Sequence, residues 1–199
     1  TFKKKKIKTN SLSKLSIILL SISGIGLVIS IFVPIWAIYL EAPQYPEGLG
    51  MFLHANKITG DYEIINGLNH YIGMKTIHQE DFWEFKDLPY ALGFFAVLAF
   101  LFAFLKKKWG LYLFTVLFLL FGVAFMIDFW LWEYDYGHNL NPNAPIIVPG
   151  MSYQPPLLGF KQLLNFGAYS YPDVGGWIMF AVGIISLVLS VLEFKSSKK

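Results

Sequence analysis

Neither cysteine nor arginine occurs among the 199 residues, and the two absences narrow the available chemistry. Without thiols there is no disulfide, no iron–sulfur cluster, no thiolate zinc or copper site and no C-x-x-C-H haem attachment. Any metal or redox role falls to His, Met or carboxylates. All sixteen basic residues are lysine. The bidentate guanidinium fork favoured for phosphate and nucleic acid is therefore missing, and a nucleic-acid partner is not expected. Charge is scarce too: 15 % of residues are charged against 55 % hydrophobic and 18 % aromatic, with a mean hydropathy of +0.52. That balance lies far from the composition of a soluble domain and implies contact with membrane lipid. No Walker loop, zinc-protease motif or nucleophile elbow is present, so no enzyme activity is expected.

What is present is a set of four apolar segments, residues 15–40, 90–105, 109–132 and 174–192. At 1.5 Å per helical residue the longer ones reach across the roughly 30 Å of bilayer hydrocarbon. They predict an all-α integral membrane protein of four transmembrane helices, with two long outer loops, 41–89 and 133–173, forming a small mixed cap. The first segment follows a basic leader, 1–14, and its 26 apolar residues exceed the roughly 7–15 of a signal-peptide core, so it reads as a retained anchor. Lys106, Lys107 and Lys108 make a tight turn between the middle pair, and 193–199 form a short tail.

Lysines give the orientation. Twelve lie in the leader, the turn and the tail, and four in the two loops. The positive-inside rule places the first group, with both termini, in the cytoplasm and the loops outside. The loops carry eleven acids against four lysines, a formal charge of −7 that attracts cations and basic partner proteins.

Within the first loop, residues 42–48 with Pro43 and Pro46 read as a rigid exit from the membrane. Residues 51–54 and 62–65 flank Thr59-Gly60-Asp61 as a hairpin, and 66–69 carry turn chemistry. In the second loop five prolines between 141 and 156 forbid regular structure, residues 157–166 suggest a short helix, and Asp173 is placed to cap the last helix. All four histidines, His54, His70, His78 and His138, fall in the loops. A b-type haem held by two transmembrane histidines is therefore not expected. His70 and Met74 are four apart and would share a helix face. Imidazole with thioether favours copper, above all Cu(I), over zinc or calcium. The same two residues read equally as cap packing. Asp128 stands near the outer end of the third segment, where a carboxylate either reaches the interface or lines a cation path.

Three strings, 41–49 (EAPQYPEGL), 66–74 (NGLNHYIGM) and 153–166 (YQPPLLGFKQLLNF), resemble the NosB-type membrane proteins found beside nitrous oxide reductase genes in Bacteroidetes and related bacteria. The resemblance covers most of both loops. It implies a multi-pass protein of the bacterial inner membrane, working on its outer face near a periplasmic copper enzyme or that enzyme's maturation factors. It also raises the weight of copper at His70 and Met74, with Met51, His54, His78 and Met151 as further donors. Two roles compete: an accessory protein that binds or relays copper, and a non-enzymatic subunit that docks a periplasmic redox protein or lipoprotein. Transport and quinol chemistry have less support, since the apolar segments hold one internal acid and no haem or flavin motif is present.

Overall fold

The computed structural model describes residues 10–198; residues 1–9, with most of the basic leader, and Lys199 lie outside the described residues. Helix α1 (Lys14–Ser30) leads into β1 (Trp36–Ala42), β2 (Tyr45–Leu53) and β3 (Ile58–Gly60), then helix α2 (Tyr62–Ile72) and a 3₁₀ turn (Gln79–Asp81). Helices α3 (Glu84–Leu105) and α4 (Lys108–His138) follow, then β4 (Gly159–Leu163), β5 (Phe166–Pro172) and α5 (Val174–Lys198).

The all-α, four-span expectation is corrected here. The chain is 57 % helical but also holds a five-stranded antiparallel sheet of order β3-β2-β1-β5-β4, and three helices, α3, α4 and α5, are long and apolar enough to cross a membrane. The apolar stretch 15–40 is not one helix. Helix α1 stops after 17 residues, about 25 Å. The backbone then turns at Pro34, which brings no amide hydrogen, and Trp36–Ala42 enters the sheet as its central strand. Trp36, Ala37 and Ile38 at its start are all buried, so the strand continues the apolar run of α1 and looks like helix in a hydropathy profile.

Helices α1, α3, α4 and α5 pack as one bundle around Leu20, Leu27, Leu92, Phe95, Phe114 and Leu189. Ser16, Leu20, Ser23, Leu27 and Ser30 are buried along one stripe of α1, and the small serines let neighbouring backbones come close. Their hydroxyls find partners: Ser23 donates to the Leu19 carbonyl, and Ser30 reaches the Gly175 carbonyl on α5 at 3.2 Å. At the opposite end of the bundle, Lys108 is buried and its Nζ lies 3.2 Å from Glu193 Oε2. Ser196 and Ser197 hydroxyls each sit 2.9 Å from the same ammonium, while Glu193 Oε1 accepts from Ser13 N and Ser16 Oγ. The start of α1, the α3–α4 turn and the end of α5 are thus tied together at the lysine-bearing end.

The sheet stands at the other end, and both loops build it. Strand β1, at the end of the first apolar segment, pairs with β2 of the first loop on one side and β5 of the second on the other, where Trp36 lies opposite Pro172 and Glu41 opposite Gly167. Trp36 Nε1 donates to Ser170 Oγ at 2.7 Å, joining the two strands inside the core. The 31-residue α4 spans about 46 Å, more than the hydrocarbon needs, so its last turns rise into the cap. There Phe129 and Tyr136 pack with Trp36, Ile38, Met51, Ile65 and Ile77 in a second hydrophobic core.

Other local expectations shift by one element. The first hairpin turn lies at 54–57 rather than at Gly60, and 62–65 begin α2 rather than a strand. The stretch 157–166 holds strand β4 and the tip of the β4–β5 hairpin rather than a helix, and residues 42–45 form the β1–β2 turn. Asp173 stands just before α5: its carbonyl accepts the Trp177 amide at 2.9 Å, and its Oδ1 lies 2.5 Å from the adjacent Val174 N.

Candidate functional site

The charge separation seen in the sequence becomes a separation in space. The acids of the two loops lie on the cap, and Glu41, Glu47, Asp61, Glu63, Glu80, Asp81 and Asp87 are exposed there. Among the described residues the cap's one side-chain ion pair within 4 Å is Lys75–Asp135 at 2.6 Å. Most of the acidic surface is thus left to face outward.

On this surface a shallow, open cleft of about 350 Å³ lies where the tips of the β1–β2 and β4–β5 hairpins meet. Glu41, Tyr45 and Glu47 line it from one tip, Gln162 and Asn165 from the other. Antiparallel pairing of β1 with β5 carries the two tips to one edge, and Tyr169 Oη donates to Glu41 Oε2 at 3.3 Å. Residues from two strings that lie more than 100 positions apart, 41–49 and 153–166, therefore share one surface. Neither Glu41 nor Glu47 stood out in sequence as a site residue beyond its charge. The pairing of the two loops, which only the register reveals, is what joins them.

The donor pair His70 and Met74 meets a different geometry. Helix α2 ends at Ile72, and Gly73 takes the left-handed conformation (φ 80°). Met74 lies beyond that turn, so the helical spacing on which the pairing rested is broken. His70 is exposed with its ring beside Tyr71, whereas Met74 is half-buried and packs on the cap core. Met74 instead shares a small cavity of about 60 Å³ with Met51, beneath the sheet. His78 is exposed beside Thr76, and His138 stacks on Tyr134. Met151 lies half-buried in the proline-rich segment. No group of three or more His, Asp or Glu with metal-holding geometry occurs among the described residues.

His54 lines a narrow cavity of about 70 Å³ that Glu84 and Asp128 also line, walled by Trp36, Phe82, Phe129 and Trp132. Burial, with Lys57 nearby, pushes the His54 imidazole below its ordinary pKa, and Asp173 opposes the shift. Thr59 Oγ1 lies 3.0 Å from its Nε2. Asp128 is half-buried and turns toward Glu84 rather than standing alone at lipid depth. Sequence reasoning missed Glu133, which is fully buried on the cap portion of α4 with neither carboxylate oxygen hydrogen-bonded.

Comparison with protein-family models, with curated proteins and with solved structures finds no match to this chain.

Proposed function

We propose that this chain is a non-enzymatic accessory protein of the bacterial inner membrane, with its cap in the periplasm serving as an acidic docking face for a periplasmic redox protein. The supporting observation is the hairpin-tip cleft, which Glu41 and Glu47 both line, on a surface with one ion pair among the described residues. Such a surface accelerates and orients encounter with a basic patch, and its effect is screened by salt. The lysine-bearing end, opposite the cap, then faces the cytoplasm under the positive-inside rule. The resemblance to NosB-type proteins makes nitrous oxide reductase the partner to test.

Vesicles carrying the full-length protein would be mixed with purified nitrous oxide reductase at low and high salt. The expected result is retention at low salt that falls about ten-fold in the Glu41→Lys/Glu47→Lys variant, since reversed rim charges act on encounter and salt dependence. Retention that is indifferent to both salt and charge reversal would refute docking through this face.

One observation favours copper relay as a second reading: the thioethers of Met51 and Met74 line the same cavity, and thioethers suit Cu(I). In that case Met51→Leu/Met74→Leu lowers Cu(I) retention against graded chelators, whereas His70→Ala alone leaves it unchanged. Equal retention by the double variant and the wild type ends that reading.

A further inference from the structure

A large apolar groove lies on the bundle rather than the cap. It is a groove of about 560 Å³ between α4 and α5, lined almost wholly by apolar atoms. On α4 it runs from Phe118 to Trp130, on α5 from Gly176 to Leu187, with Trp36 and Leu157 of the cap at its outer end.

Its depth identifies what fits. Phe118 to Trp130 is thirteen residues, twelve steps and about 18 Å of helix, and Lys107 lies a further eleven steps, about 16 Å, below. The exposed Lys107 and Trp109 mark one edge of the bilayer and the Trp130, Tyr134 and Trp177 belt the other. The groove therefore opens at headgroup level on the cap side and stops at mid-depth, the extent of one leaflet of a hydrocarbon layer roughly 30 Å thick. A transmembrane helix from a partner would need a seat running the full height, but the lower half of the α4–α5 seam is closed. There Thr115 Oγ1 bonds the Ser186 carbonyl and lies 2.9 Å from Ser190 Oγ. Glycine keeps the upper half open: a Cβ at Gly122 would meet nothing within 4 Å, and one at Gly183 would come no nearer than 3.7 Å to Leu119.

We propose that this groove is a binding site for one acyl chain of a phospholipid from the cap-side leaflet. The site is independent of the docking role. The chain fills the space beneath Leu157 and Trp36, so the retained lipid supports the floor of the cap.

The test is native mass spectrometry of the full-length protein, purified in mild detergent from vesicles of palmitoyl-oleoyl phosphatidylglycerol and phosphatidylethanolamine. One retained phospholipid per wild-type chain is expected. In Gly122→Leu/Gly183→Leu, whose side chains occupy the groove, retention should fall about ten-fold, as lost burial of a few methylenes requires. Gly93→Leu on α3, also at a glycine with nothing within 4 Å, should retain lipid as the wild type does. Should the double variant fail to fold, Gly183→Leu alone carries the expectation of a several-fold loss. Undiminished retention in a folded groove-filled variant overturns the proposal. So does a wild-type chain that retains no lipid, or one that holds a second copy or an acylated protein in the lipid's place.

Discussion

Replacing Lys108 by Met is expected to destabilise the bundle by about 3–5 kcal/mol, the cost of leaving one partner of a buried ion pair unpaired. Both side chains are about 5 % exposed, and Glu193 would keep its bonds from Ser13 and Ser16 but lose the only cation within 4 Å of its carboxylate among the described residues. Glu193→Gln should cost a similar amount for the opposite reason, because it strands the ammonium. The pair joins α4 to α5, and Glu193 in turn holds the start of α1, so the loss is global rather than a fraying of one terminus. Replacing both together, Lys108→Met with Glu193→Leu, should recover much of the loss, since no charge is then left buried. Denaturant-induced unfolding in detergent measures all three variants. Single variants as stable as the wild type would mean that the pair is hydrated and exposed.

The second large effect is expected at the cap. Gly137, in the last turn of α4, accepts the Tyr153 amide at 2.9 Å, and a Cβ there would lie 2.3 Å from both Cα and N of Gln154. Those are backbone atoms that cannot rotate aside. Gly137→Ala should therefore detach the 153–155 segment at a cost above about 2 kcal/mol, within the class of steric and backbone mechanisms behind large single-site effects. The Tyr153 amide should change from slow to fast hydrogen exchange. The same substitution at Gly122, on the same helix but with open space around it, should be neutral or stabilising by up to about 1 kcal/mol through helix propensity. Equal effects at the two positions would show that the loop does not rest on α4.

These two sites mark the boundary of what sequence reasoning reaches. The three long helices, the lysine turn and the opposition of basic and acidic ends are all legible, because each depends on hydropathy or charge along the chain. Strand β1 is not legible. Trp36 to Leu40 continues the apolar run of α1, and because the exposed residue within it, Tyr39, is itself aromatic, no polar alternation betrays the strand. The pairing of β1 with β5 crosses more than 120 positions, and no local pattern encodes it. Asn66 shows a subtler failure. Its residue type suggests a turn, yet it sits in α2 and clamps Ile77 through Nδ2 to the carbonyl and Oδ1 from the amide, a tertiary use of the same hydrogen-bonding capacity. The four-residue spacing of His70 and Met74 suggests one helix face, but Gly73 ends α2 between them. Lys108 read as one more cytoplasmic charge, whereas its burial depends on Glu193, 85 residues away.

The docking account depends first on which side of the membrane carries the cap, and the cysteine-free chain lends itself to that test. Single cysteines at Asn56, exposed in the β2–β3 turn, and at Lys107, exposed in the α3–α4 turn, would be treated with a membrane-impermeant maleimide on intact spheroplasts. The account expects labelling at position 56 and protection at position 107 until the membrane is permeabilised. Labelling at 107 with protection at 56 would place the acidic cap in the cytoplasm and contradict it.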